Sequence, residues 1–144
     1  MGKNYSMNSK ADERDKKDFY NTPPCLVETF LDAYEFGKDK NYTIWECACG
    51  DYAISNVLAE RGYSVLTSDK YGEPSVDFMD STVRVPYIVT NPPYRYAMEF
   101  ILQAKKLATK GFAFLLPLSY LHGKDKGGME WLSLSKITTT WFIC

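Results

Sequence analysis

The chain has one histidine, His122, and four cysteines: Cys25, Cys47, Cys49 and Cys144. Cys47 and Cys49 have no second Cys or His pair at zinc-ligand spacing, so no metal site is expected. Buried, reduced thiols of a cytoplasmic protein are the expectation instead. No apolar run approaches the roughly 20 residues that span a bilayer; one of the longest is 111–118. The start lacks an apolar signal-peptide core, and the loose acylation pattern at Met1–Ser6 reads as a chance match. No membrane partner is expected. Formal net charge is −1, so no global field draws a polyanion, and a nucleic-acid partner would need a local basic patch. Gly-x-Gly-x-x-Gly is absent, and so is Gly-Lys-Ser/Thr, which excludes a P-loop.

Aromatic residues, by contrast, make up 15% of the 144 residues, enough to fill a core and to leave rings for stacking on a base. Residues 1–17 are polar and aperiodic and are expected to be a mobile tail, with one domain over 18–144. Thr22-Pro23 reads as a helix start, with Leu26, Phe30, Leu31 and Tyr34 on one face and Gly37 as the stop. A strand is expected over 41–49, then a short helix carrying Ile54, Val57 and Leu58 and ending at Gly62. Strands follow over 63–67 and 85–90, with a short apolar piece at 76–79 between acids. Ala97, Phe100, Ile101, Ala104 and Ala108 step by three and four, which predicts an amphipathic helix. Apolar strands over 112–118 and 137–143 complete the pattern. Alternating strands and helices imply an α/β, Rossmann-like fold: a mostly parallel sheet with helices on both faces. In such sheets ligands sit at the carboxyl ends of the strands, where strand order reverses.

The polar signals collect at those ends. Glu46-Cys47-Ala48-Cys49-Gly50-Asp51 closes one strand and opens a helix, and its glycine lets backbone approach a ligand closely. Asp69, at the end of the next strand, stands where a carboxylate can accept from ribose hydroxyls. Asn91-Pro92-Pro93-Tyr94 leaves the strand over 85–90. Two prolines stiffen the loop and remove two N–H donors, so the side-chain amide, a bare carbonyl and an aromatic ring are presented together. Such a set can grip a planar –NH2 group. Two acceptors take its hydrogens, the ring stacks beyond, and the nitrogen lone pair is aimed at an electrophilic methyl.

These residues resemble the class I S-adenosylmethionine-dependent methyltransferases, and more narrowly the N6-adenine DNA methyltransferases of phages and bacteria. The resemblance rests on Asp18–Pro23, Trp45–Asp51, Thr67–Asp69, Asp77-Phe78 and Ile88–Tyr94 and covers residues 18 to about 123. It implies S-adenosyl-L-methionine as cofactor, with Tyr20, Thr22 and Pro23 at its methionine end and Glu46, Cys49 and Gly50 forming the turn beneath. Asp69 would bind the ribose hydroxyls, and Asp77 and Phe78 would flank the cofactor adenine. Asn91 and the Pro92 carbonyl would accept from the target amine, with Pro93 stiffening the loop and Tyr94 stacking on the target base. The implied reaction is direct methyl transfer to an exocyclic amine, with DNA adenine N6 as the leading acceptor and a flipped base if the DNA is duplex.

The chain departs from the family pattern twice. Tyr52 stands where many relatives place a second glycine. The family's seventh strand, antiparallel between the fifth and sixth, and its target-reading segment are expected to be lacking, so the domain reads as C-terminally short. Methylation of a protein glutamine or of RNA adenine remains an alternative, as does a cofactor-binding module without activity. Arg95, Lys105, Lys106, Lys110, Lys124 and Lys126 are candidates for touching phosphate.

Overall fold

The computed structural model describes residues 21–33 and 40–116, and the backbone of 138–142. The expected tail, Tyr20, Tyr34, Gly37, His122, Lys124 and Lys126 lie outside the described residues. The elements in chain order are α1 (Pro24–Ala33), β1 (Thr43–Glu46), α2 (Ala53–Glu60), β2 (Ser64–Thr67), β3 (Val85–Thr90), α3 (Ala97–Leu107), β4 (Ala108–Leu115) and β5 (Thr138–Phe142). Single 3-10 turns at Phe78–Asp80 and Tyr94–Tyr96 precede β3 and α3.

All four strand pairings are parallel, in the order β2-β1-β3-β4-β5. β5 pairs with β4 directly. Chain order runs outward from β1 to β2, then returns past β1 to β3, so strand order reverses at β1. That reversal opens a crevice beyond the carboxyl ends of β1 and β3.

Both faces of the sheet are covered. Val27, Phe30 and Leu31 of α1 and Ile54, Val57 and Leu58 of α2 bury Ile44, Val89 and Ala113 on one side. Ala97, Phe100, Ile101, Ala104 and Leu107 of α3 bury Trp45, Ile88, Phe112 and Phe114 on the other. Neighbouring residues such as Ile44 and Trp45 therefore enter opposite cores. This is why the strands read as continuous apolar runs rather than as alternating ones. The result is an α/β fold with an all-parallel sheet and helices on both faces.

Several expected boundaries shift. β1 ends at Glu46 because Cys47 to Gly50 turns away from the sheet. The piece at 76–79 forms a 3-10 turn, with the Asp77 carboxylate accepting from the Met79 N–H. Ala108 belongs to β4 rather than to α3, since its partner in the sheet is Val85. Helix α1 begins at Pro24, two residues after Thr22, and the Thr22 hydroxyl accepts from Asn91 Nδ2 at 3.2 Å. The expected stop at Gly62 is present. Its φ of +87° and the bonds Gly62 N–H to Ala59 O and Tyr63 N–H to Leu58 O close α2.

Candidate functional site at the strand ends

The segments leaving β1 and β2 are tied together. Ser68 N–H donates to Glu46 O and Cys49 N–H to Ser68 O, each at 3.0 Å, and the Trp45 indole N–H donates to Ser68 Oγ at 2.8 Å. Gly50 has φ +49°, the left-handed turn that suits a glycine. Its N–H donates to Asp69 Oδ2 at 2.9 Å, and the other Asp69 oxygen accepts from Tyr71 N–H at 2.8 Å. Asp69 is thereby aimed at the turn below β1.

Glu46 is buried at the end of β1 and is held from the first turn of α2. Ser55 N–H donates to Glu46 Oε2 at 2.9 Å, and the Ser55 hydroxyl bonds the same oxygen. Burial pushes the Glu46 carboxyl up to about 7 against these two bonds, and the charges of Asp51 and Asp69 push the same way. Burial likewise raises the Cys47 thiol well above its ordinary value and the Cys49 thiol to about 11, so neither is a thiolate nucleophile at neutral pH.

Phe78 forms an apolar wall. Its ring centroid lies 5.3 Å from that of Trp45 and 5.0 Å from that of Phe100. Asp77 beside it pairs with Lys70 at 3.1 Å. At the end of β3, Asn91 is fixed by its bond to Thr22.

One cavity of about 660 Å³ joins these groups. Its wall includes Thr22, Glu46, Cys49, Gly50, Asp69, Asp77, Phe78, Asn91 and Pro93. The volume lies within the range of small-molecule sites. Among the described residues, Glu46, Asp51, Asp69, Asp77 and Glu99 contribute five carboxyls to the wall, and Lys70 contributes the single basic side chain. A cavity so lined favours a cation and opposes a pyrophosphate.

Three expected site residues stand away from this wall. Pro23 is exposed at the start of α1. Pro92 has a fully buried side chain and does not line the cavity. Tyr94 packs partly buried against the α3 core. Sequence reasoning missed Ser55, Lys70, Tyr71, Tyr96, Glu99 and Phe100. For the last three a signal existed: they are spaced i, i+3 and i+4 at the start of a helix that follows the proline loop, and so share one face. Among the described residues no group of three or more His, Cys, Asp or Glu could hold a metal ion. No helix among them is long and apolar enough to cross a membrane.

No family model, no curated protein and no solved structure matches the chain.

Proposed function

We propose that the chain is an S-adenosylmethionine-dependent methyltransferase acting on an exocyclic amine, with adenine N6 of DNA as the favoured acceptor. One observation carries this reading: the Glu46–Asp51 turn, Asp69, Asp77-Phe78 and the Asn91 amide wall a single cavity at the point where strand order reverses. The chemistry of the wall fits the cofactor. Asp69 suits ribose hydroxyls, Phe78 offers an apolar surface to an adenine, and the surplus of carboxyls suits a ligand that carries a sulfonium and an ammonium. When bound, S-adenosylmethionine supplies an electrophilic methyl.

The chain's residues then have distinct tasks. Glu46 and Gly50 shape the turn under the cofactor. Thr22 orients the Asn91 amide so that Nδ2 faces Thr22 and Oδ1 is its acceptor end for a target N–H. Positioning and electrostatics supply the catalysis, and no protein nucleophile is required.

A second reading, a cofactor-binding module without transfer activity, is favoured by the burial of Pro92 and the position of Tyr94. Radiolabelled methyl transfer to DNA, RNA and protein in parallel separates the two. Transfer to DNA, abolished by Asn91→Ala with cofactor binding retained, supports the enzyme. Cofactor binding with no transfer to any acceptor supports the module, and absence of cofactor binding rejects both.

A further inference from the structure

The aromatic ring of the proline loop does not reach the cavity, and another ring does. The 3-10 turn at Tyr94–Tyr96, closed by Tyr96 N–H to Pro93 O at 3.0 Å, makes about three residues per turn, so side chains two apart leave in different directions. Tyr94 goes to the α3 core. Tyr96 goes to the cavity wall, on the same helical face as Glu99 and Phe100, and keeps 45% of its surface exposed. The Arg95 guanidinium lies 5.6 Å from the Tyr96 ring centroid.

An exposed tyrosine with an arginine at its ring, at the mouth of a ligand cavity, is a surface for a planar group attached to an anion. Bases stack on aromatic rings whatever their identity, and an adjacent guanidinium can stack on a base or bond a phosphate. The rest of the mouth agrees with this. Tyr52 and Tyr71, exposed and on the same wall, add two further rings.

We propose that Tyr96, braced by Arg95, is the platform on which the target base stacks, and that the preferred substrate is a single-stranded nucleic acid whose base is already unpaired. The proposal rests on the methyltransferase reading and specifies its acceptor. A single strand avoids the unpairing cost that a duplex base carries into such a pocket. Tyr94 then serves as a core residue that anchors the loop.

The test uses the full chain and a single-stranded oligodeoxyadenylate carrying 2-aminopurine, alone or annealed to its complement. Stacking quenches 2-aminopurine, so the readout does not depend on turnover. Quenching is expected with the single strand. In Tyr96→Ala, quenching should be lost and affinity should weaken about tenfold, and Tyr96→Phe should restore both. S-adenosylmethionine affinity, measured by calorimetry on the same samples, should fall by less than oligonucleotide affinity in Tyr96→Ala. In turnover, KM for the oligonucleotide should rise in Tyr96→Ala by more than KM for the cofactor. Full binding and quenching by Tyr96→Ala would overturn the proposal, and so would a duplex bound as tightly as the single strand. If the unaltered chain binds cofactor but no oligonucleotide, the platform falls and the cofactor site stands. If it binds neither, both readings fall.

Discussion

The backbone N–H of Gly50 meets the carboxylate of Asp69 at 2.9 Å, bridging the loops that leave β1 and β2. Asp69 also accepts from Tyr71 N–H, so one side chain sets the shape of two segments of the cavity wall. Hydrogen bonds to a charged acceptor contribute about 1.5–3 kcal/mol. Asp69→Ala removes both bonds together with the proposed ribose contact. The expected result is a lower Tm and a loss of S-adenosylmethionine affinity of at least about tenfold by calorimetry. Asp69→Asn, which keeps one acceptor, should fall between the two. An Ala variant that bound the cofactor normally would remove Asp69 from the site.

Glu46 makes stability depend on pH. Its folded value of about 7 lies above the ordinary value of 4.5, chiefly through burial. Between those pH values the unfolded chain has released a proton that the folded chain keeps, so this group lowers stability as pH rises from about 4.5 to about 7, and the loss is complete above that. The full effect is on the order of 3 kcal/mol. Glu46→Gln should therefore be more stable than the parent at pH 8 and should converge with it near pH 4.5, as read by urea melts across the range. A sulfonium cation favours the ionised carboxyl, so cofactor affinity of the parent should rise with pH through about 7. In the Gln variant it should be flat and weaker.

The helix beginning at Ala97 was legible because its buried residues recur at the helical period, and the strand over 85–90 because a strand covered on both faces reads as a short, continuous apolar run. The gathering of Glu46, Gly50, Asp69 and Asn91 was legible for a similar reason: parallel strands place all their carboxyl ends at one edge. Ala108 was not. Alanine fits a helix locally, and its pairing with Val85 across the sheet overrides that preference. The direction of Tyr94 was not legible either. A three-residue turn decides which ring enters the core, and no repeat of the pattern records that choice.

Tyr52 has φ +65° and ψ 19°, a left-handed conformation that costs a residue with a Cβ about 1–2 kcal/mol. The position asks for glycine on conformational grounds. Half of the Tyr52 surface is exposed (50%), so little packing is lost with the ring. Tyr52→Gly should raise Tm by a few degrees even after the entropic cost of a glycine. Tyr52→Ala keeps the Cβ and the strain, and should show no such gain. Equal melting temperatures for the Gly and Ala variants would mean that the turn stores no strain at this residue.

Gln103 is a polar residue on the buried face of α3, and its amide organises the far wall of the cavity. Nε2 donates to Phe78 O at 3.0 Å and Ser81 O at 2.9 Å, with Met79 O at 3.3 Å. These bonds pin the 3-10 turn that presents Phe78 to the cavity. Gln103→Leu keeps an apolar stem but leaves the carbonyls without their donor, which costs about 1–3 kcal/mol. Gln103→Glu places a carboxylate without N–H groups against the same carbonyls, and at pH 8 should be the less stable of the two. Both should weaken cofactor binding through the displaced Phe78 wall while leaving the Asn91–Thr22 contact in place. Urea melts and calorimetry on the two variants check the order. A Leu variant as stable as the parent would show that solvent replaces the amide at these carbonyls, and that the turn is held by the Phe78 ring alone.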